Sequence, residues 1–147
     1  MIVNVDLIFY GIGVSHSFFM KSLFSLYLVP KKLYVTLTGA VKERWPTSEG
    51  TYTLGPSLLN RQPYWLKKDG EQAIWYDKDW DNWKMAGQSH LWTSTSRMLT
   101  TKDSAQEGAQ LPHRISPWKY MVDGAWTASS EIKVQNTGKF RITNQKY

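Results

Sequence analysis

Residues 63–87 read PYWLKKDGEQAIWYDKDWDNWKMAG, and this stretch decides the fold class. Residues 64–67 and 72–76 are aromatic and apolar runs of strand length, separated by Lys68-Asp69-Gly70. Asp-Gly is the residue pair that accepts the positive φ of a tight hairpin turn. The chain turns again across 77–82, after which Trp83-Lys84-Met85 opens a third run. This spacing predicts a three-stranded antiparallel meander.

Upstream, Leu33, Val35 and Leu37 alternate with Tyr34, Thr36 and Thr38 and stop at Gly39. Period-two alternation of β-branched and aromatic residues is the pattern of a half-buried strand. After a polar connection through Pro46 and Ser48, residues 50–54 (GTYTL) give another strand, closed by Gly55-Pro56. Downstream, a strand is expected at 91–95, and the aperiodic stretch 100–110 (TTKDSAQEGAQ) reads as an exposed loop. Residues 118–122 and 125–129 form a second hairpin about Asp123-Gly124. Ile132 and Val134 mark a closing strand, and Phe140 and Ile142 a further one. The two hairpins repeat the same chemistry without the third copy that an array needs. The expected fold is all-β: a single compact antiparallel barrel or sandwich of about seven to nine short strands.

The chain has 147 residues, enough for one domain. Its eight Trp all lie between Trp45 and Trp126, and each large aromatic side chain can bury about 150–250 Å². A few such residues hold a small core without staples. Cysteine is absent, which excludes disulfides, thiolate metal sites and a cysteine nucleophile. It also tilts the expected compartment toward the cytoplasm. The net charge is +6, but the basic residues are scattered and form no stripe, so no specific nucleic-acid partner is expected.

Three segments follow from these patterns. Residues 33–135 are the Trp-rich domain, and residues 136–147 are a basic tail or an extra edge strand. Residues 1–32 contain no Trp and form an apolar, non-core segment with three readings: a targeting segment, an extra element packed on the domain, or a misassigned start. Asp6 and Lys21 leave too short an uncharged run for a membrane-spanning helix. Membrane association is expected only if this segment is an anchor, and secretion only if it is a signal.

Candidate chemistry is sparse. Asp77, Asp79 and Asp81 have the D-x-D-x-D spacing that begins a calcium loop, but Asn82 and Gln88 stand where an EF-hand needs Gly and Glu. A solvated turn is the expected role. His16, His90 and His113 share no ligand spacing, and neither a nucleophile elbow nor a phosphate-cradling glycine loop occurs. No catalytic residue, cofactor or metal site is assigned. Trp65, Trp75, Trp83, Trp118 and Trp126 fall in strands and are expected in the core. Trp80 sits between two aspartates in a turn where burial is harder, and Trp92 lies in a polar run beside His90. Trp80 and Trp92, with Asp79 and Asp81, are therefore the candidate ligand contacts. An exposed indole stacks on a sugar face while carboxylates accept its hydroxyl protons.

The order of residues adds a resemblance. GTYTL, then NRQPYW, AIWY, WKMAG, WKY with DGAW, and a terminal IKV are similar to an aromatic-rich β module recurring in invertebrate and protist proteins. Its pattern is G-x-Y, N-G-R-P-x-Y/W, I/L-x-Y, W-x-I-G and G-x-W, here over about two-thirds of the chain. Arg61-Gln62 and the lengthened Met85-Ala86-Gly87 depart from it. The resemblance implies an all-β fold and an accessory role. The expected function is a noncatalytic binding or interaction module with a protein or glycan partner. A carbohydrate-binding, lectin-like domain is the first alternative, and a small enzyme of unknown chemistry is the second.

Overall fold

A computed structural model of the chain describes residues 26–69, 71–91, 93, 95–100 and 110–144. The architecture is nearly all-β. The strands are β1 (Leu26–Pro30), β2 (Lys32–Leu37), β3 (Gly50–Leu54), β4 (Trp65–Lys67), β5 (Gln72–Asp77), β6 (Asn82–Gly87), β7 (Met98–Thr100), β8 (Trp118–Val122), β9 (Ala125–Ser129), β10 (Ile132–Asn136) and β11 (Phe140–Asn144). One short helix, α1 (Gly39–Arg44), stands among them. Nine strands form one antiparallel sheet in the order β10-β2-β3-β4-β5-β6-β7-β8-β9, while β1 and β11 pair separately.

The sheet is a nearly closed barrel, and strand parity explains its one irregularity. Directions alternate from β2 to β9, and β10 is antiparallel to β2, so β9 and β10 run in the same sense. Only Ser130 and Glu131 separate them, too few residues for a crossover between parallel neighbours. They are therefore two halves of one bent strand, the first half pairing with β8 and the second with β2. Counted this way the barrel has eight walls. Eight strands leave an interior that side chains can fill. Here Trp65, Trp83, Trp118, Tyr52, Met85, Met98, Leu33 and Ile74 fill it.

Glu131, at the bend, fastens the corner. Its backbone carbonyl accepts from Thr38 N–H at 3.1 Å, and its carboxylate accepts from Val41 N–H at 3.3 Å in α1. Gly39 has φ +53, the left-handed region that favours glycine, and a Cβ there would lie 1.9 Å from the Glu131 carboxylate and displace it from Val41 N–H. A polar connection expected between the first two strands is thus a helix anchored from the far end of the chain.

One further expectation meets a correction. Among the described residues of 91–95 no strand forms: Leu91 N–H donates to Gln88 O and Thr93 N–H to His90 O, local turns that consume ladder donors. The next strand is β7. Within segment 1–32, residues 26–30 form β1, whose Val29 is buried in the same core cluster as Leu33. Residues 140–144 form an extra strand on β1.

The turn Pro112–Arg114 packs beside β10 and carries His113, whose Nδ1 is buried with no partner among the described residues. Burial first, and the Arg114 charge second, hold its pKa below the ordinary 6.5. Below pH 6.5 the unfolded chain takes up a proton that the folded chain refuses, so stability falls as pH drops toward the lowered folded value. The slope is at most about 1.4 kcal/mol per pH unit. Thermal melts from about pH 7.5 downward should show His113→Gln less acid-sensitive than the wild type; equal sensitivity would remove His113 as the cause.

Candidate functional site

The β5–β6 turn, residues 78–81, is where the sequence placed Trp80, Asp79 and Asp81. Register puts Asp77 opposite Asn82 and Trp75 opposite Lys84. Asp77, Trp75, Asn82 and Lys84 thus share the outer face of the barrel, while Ile74, Trp83 and Met85 face inward.

On that outer face lies a buried ion pair. Lys84 Nζ is 2.6 Å from Asp77 Oδ2, and the two side chains are only 2 % and 8 % exposed. The other carboxylate oxygen of Asp77 accepts from the backbone N–H of Asp79 at 2.9 Å and of Trp80 at 3.3 Å. Asp77 therefore sets the turn and neutralises the lysine at once. Burying two charges is expensive and seldom increases stability over an apolar pair, so what it secures here is position. What it positions is Trp80: the indole lies with Lys84 Nζ 5.5 Å from its ring centre, a cation–π contact that seats one face. Trp80 is nevertheless 55 % exposed, the most exposed large apolar side chain among the described residues.

Around it, Asp79 is exposed, whereas Asp81 is half-buried and accepts a hydrogen bond from the Tyr76 hydroxyl. Asp81 also takes φ +51, which fixes the end of the turn. Asn60 Nδ2 donates to Tyr76 O at 2.9 Å and ties the 55–64 loop to the same place. Buried Asn82 leaves Oδ1 without a donor among the described residues. So Trp80 and Asp79 come together at the surface, and Asp81 is committed to Tyr76. Trp92 lies outside the described residues. Among those residues no group of three His, Asp or Glu is placed to hold a metal ion.

Sequence reasoning missed the Asp77–Lys84 pair. Its signal was present: a four-residue turn after Asp77 makes 77 and 84 diagonal neighbours on one face.

A second surface lies at the opposite end of the barrel, by the alternation of strand direction. Trp65, Trp75, Trp83 and Trp118 are buried, but Trp126 is 37 % exposed, contrary to its expected core place. The reason is the register: Trp126 lies beside Met121, on the face opposite the core residues Trp118 and Tyr120, and β9 pairs only with β8, so Ala125 to Ala128 are all exposed. The hairpin leans on α1 through Arg44 Nη1, which donates to Met121 O at 3.0 Å, and through the edge-on stack of Trp45 with Tyr120. A mainly apolar groove of about 400 Å³ runs between Pro117, Ala128 and Ile132.

In comparisons with known proteins, the chain matches no family model, no curated protein and no solved structure.

Proposed function

We infer that this domain is a noncatalytic binding module, with Trp80 as the stacking platform of a carbohydrate site. The observation that carries this reading is a large indole exposed on one face and held on the other by a buried lysine. Free surface tryptophans lower solubility, and a costly buried ion pair beneath one supports a contact role. The apolar C–H face of a pyranose stacks on the open side of the ring. The exposed Asp79 carboxylate accepts from its hydroxyls, as a charged acceptor strengthens such bonds. Asp81 acts indirectly, by fixing the turn through Tyr76. The aromatic-rich module resembled by the sequence is consistent with an accessory role of this kind.

Glycan-array binding tests it. The wild type should bind a restricted set of glycans, Trp80→Ala should lose about tenfold or more in affinity, and Asp79→Asn should lose less. Circular dichroism of both variants should match the wild type. A flat array from folded wild-type protein would sink the carbohydrate reading.

A further inference from the structure

The open side of β9 has the makings of a second, independent interface. Asp123 and Gly124 have φ +47 and +81, the positive pair of a two-residue type I′ turn. In such a hairpin Val122 and Ala125 exchange both hydrogen bonds, so by alternation Trp126 and Ala128 belong to the non-bonded pairs. The N–H and C=O of Trp126 and Ala128 thus point away from β8. The Arg44 bond to Met121 O agrees, because the residue facing Trp126 also turns its carbonyl outward. No strand among the described residues takes up these four groups.

Natural edge strands are guarded by lysine, proline, a bulge or extreme shortness. The edge AWTAS has none of these over its five residues. It is also self-complementary. If two copies meet antiparallel about Thr127, Trp126 of each falls opposite Ala128 of the other, Ala125 opposite Ser129, and Thr127 opposite Thr127. In that register all four outward backbone groups of each strand find partners. Large faces small, and no charge faces a like charge. Ala128 also lines the groove beside Pro117 and Ile132, so the indole of the second copy has an apolar seat. On the same face Lys119 lies beside Ala128, which brings it within reach of that indole for a cation–π contact.

We propose that this chain forms a two-fold dimer by pairing β9 with β9 of a second copy, centred on Thr127. The pairing makes one continuous sheet across both barrels. Because the strands run antiparallel, the two Trp80 platforms point in opposite directions, so the dimer bridges two ligands instead of gripping one surface twice.

Sedimentation equilibrium of the full chain over a dilution series reads the dimer directly. The wild type should dissociate to monomer on dilution. Thr127→Lys and Thr127→Glu each place like charges face to face at the two-fold centre, and each should weaken self-association by about fivefold or more. An equimolar mixture of the two should restore it, a result no other interface gives. Ala128→Pro removes an N–H that β8 does not use, which an edge tolerates. It deletes two of the four intermolecular bonds and should weaken the dimer about 30-fold. A wild type that stays monomeric throughout, or folded Thr127 variants that associate as the wild type does, would overturn the proposal. Glycan binding by monomeric Thr127→Lys should persist, which separates failure of the dimer from failure of the Trp80 site.

Discussion

Trp83→Ala should reduce the stability of the domain by about 4 kcal/mol, the range for an aromatic removed from a closed core. The ring is fully buried inside the barrel. It lies 5.8 Å from the Trp65 ring and 5.5 Å from Tyr76, both at steep angles. Its Nε1 donates to Gln110 O at 2.7 Å, which draws the 110–117 segment against the open end of the wall. Neighbours on both sides are themselves fixed by the sheet, so the site collapses poorly and a cavity remains. Since small domains hold only about 5–15 kcal/mol in total, the variant should unfold at far lower urea with an unchanged slope. Trp83→Phe keeps the ring contacts, loses the Gln110 bond, and should cost about 1–2 kcal/mol. Trp126→Ala, measured at a concentration where the chain is monomeric, should change stability by no more than about 0.5 kcal/mol. Equal losses at 83 and 126 would contradict the inside–outside assignment of the two residues.

That contrast also marks what the sequence could reveal. Alternation at Leu33, Val35 and Leu37, and the Asp-Gly pair at 123–124, are local signals, and the strands they announce are present. Alternation says which residues share a face; it does not say whether anything covers that face. Trp126 reads like Trp83 in sequence, but its register beside Met121 turns it to the face opposite the core residues Trp118 and Tyr120, on a strand that bends away at Ser130 and Glu131. Helix α1 was hidden for a related reason, since Glu131, 90 residues from Val41, caps its first turn. The short β7, Met98–Thr100, has too few residues to alternate, while the β-prone Leu91 and Thr93 are taken by hydrogen bonds to Gln88 and His90. Trp80 was legible as an exposed residue because aspartates on both sides resist burial. The lysine under it was not, because its place depends on the length and register of the turn.

Lys84→Met should lower stability by about 3–5 kcal/mol, because it strands the Asp77 carboxylate in a site where only 8 % of that side chain meets water. Asp77 cannot move out to be solvated without releasing the N–H groups of Asp79 and Trp80. The double variant Lys84→Met/Asp77→Asn tests this account. Asparagine keeps a side-chain oxygen for those two N–H groups and carries no charge, so most of the lost stability should return. A double-mutant cycle should therefore show a coupling of about 2 kcal/mol or more, in the upper part of the range for residues in contact. Near-additive losses would mean that the pair contributes little as a pair. Stability and binding separate in this variant. The Asp77→Asn change keeps the turn, but the cation beneath the indole is gone, and with it a contact worth about 0.5–2 kcal/mol in holding the ring. The stabilised double variant should thus fold like the wild type yet bind the Trp80 ligand several-fold more weakly. Full binding in that variant would show that the ion pair holds the turn alone and that Trp80 needs no seat.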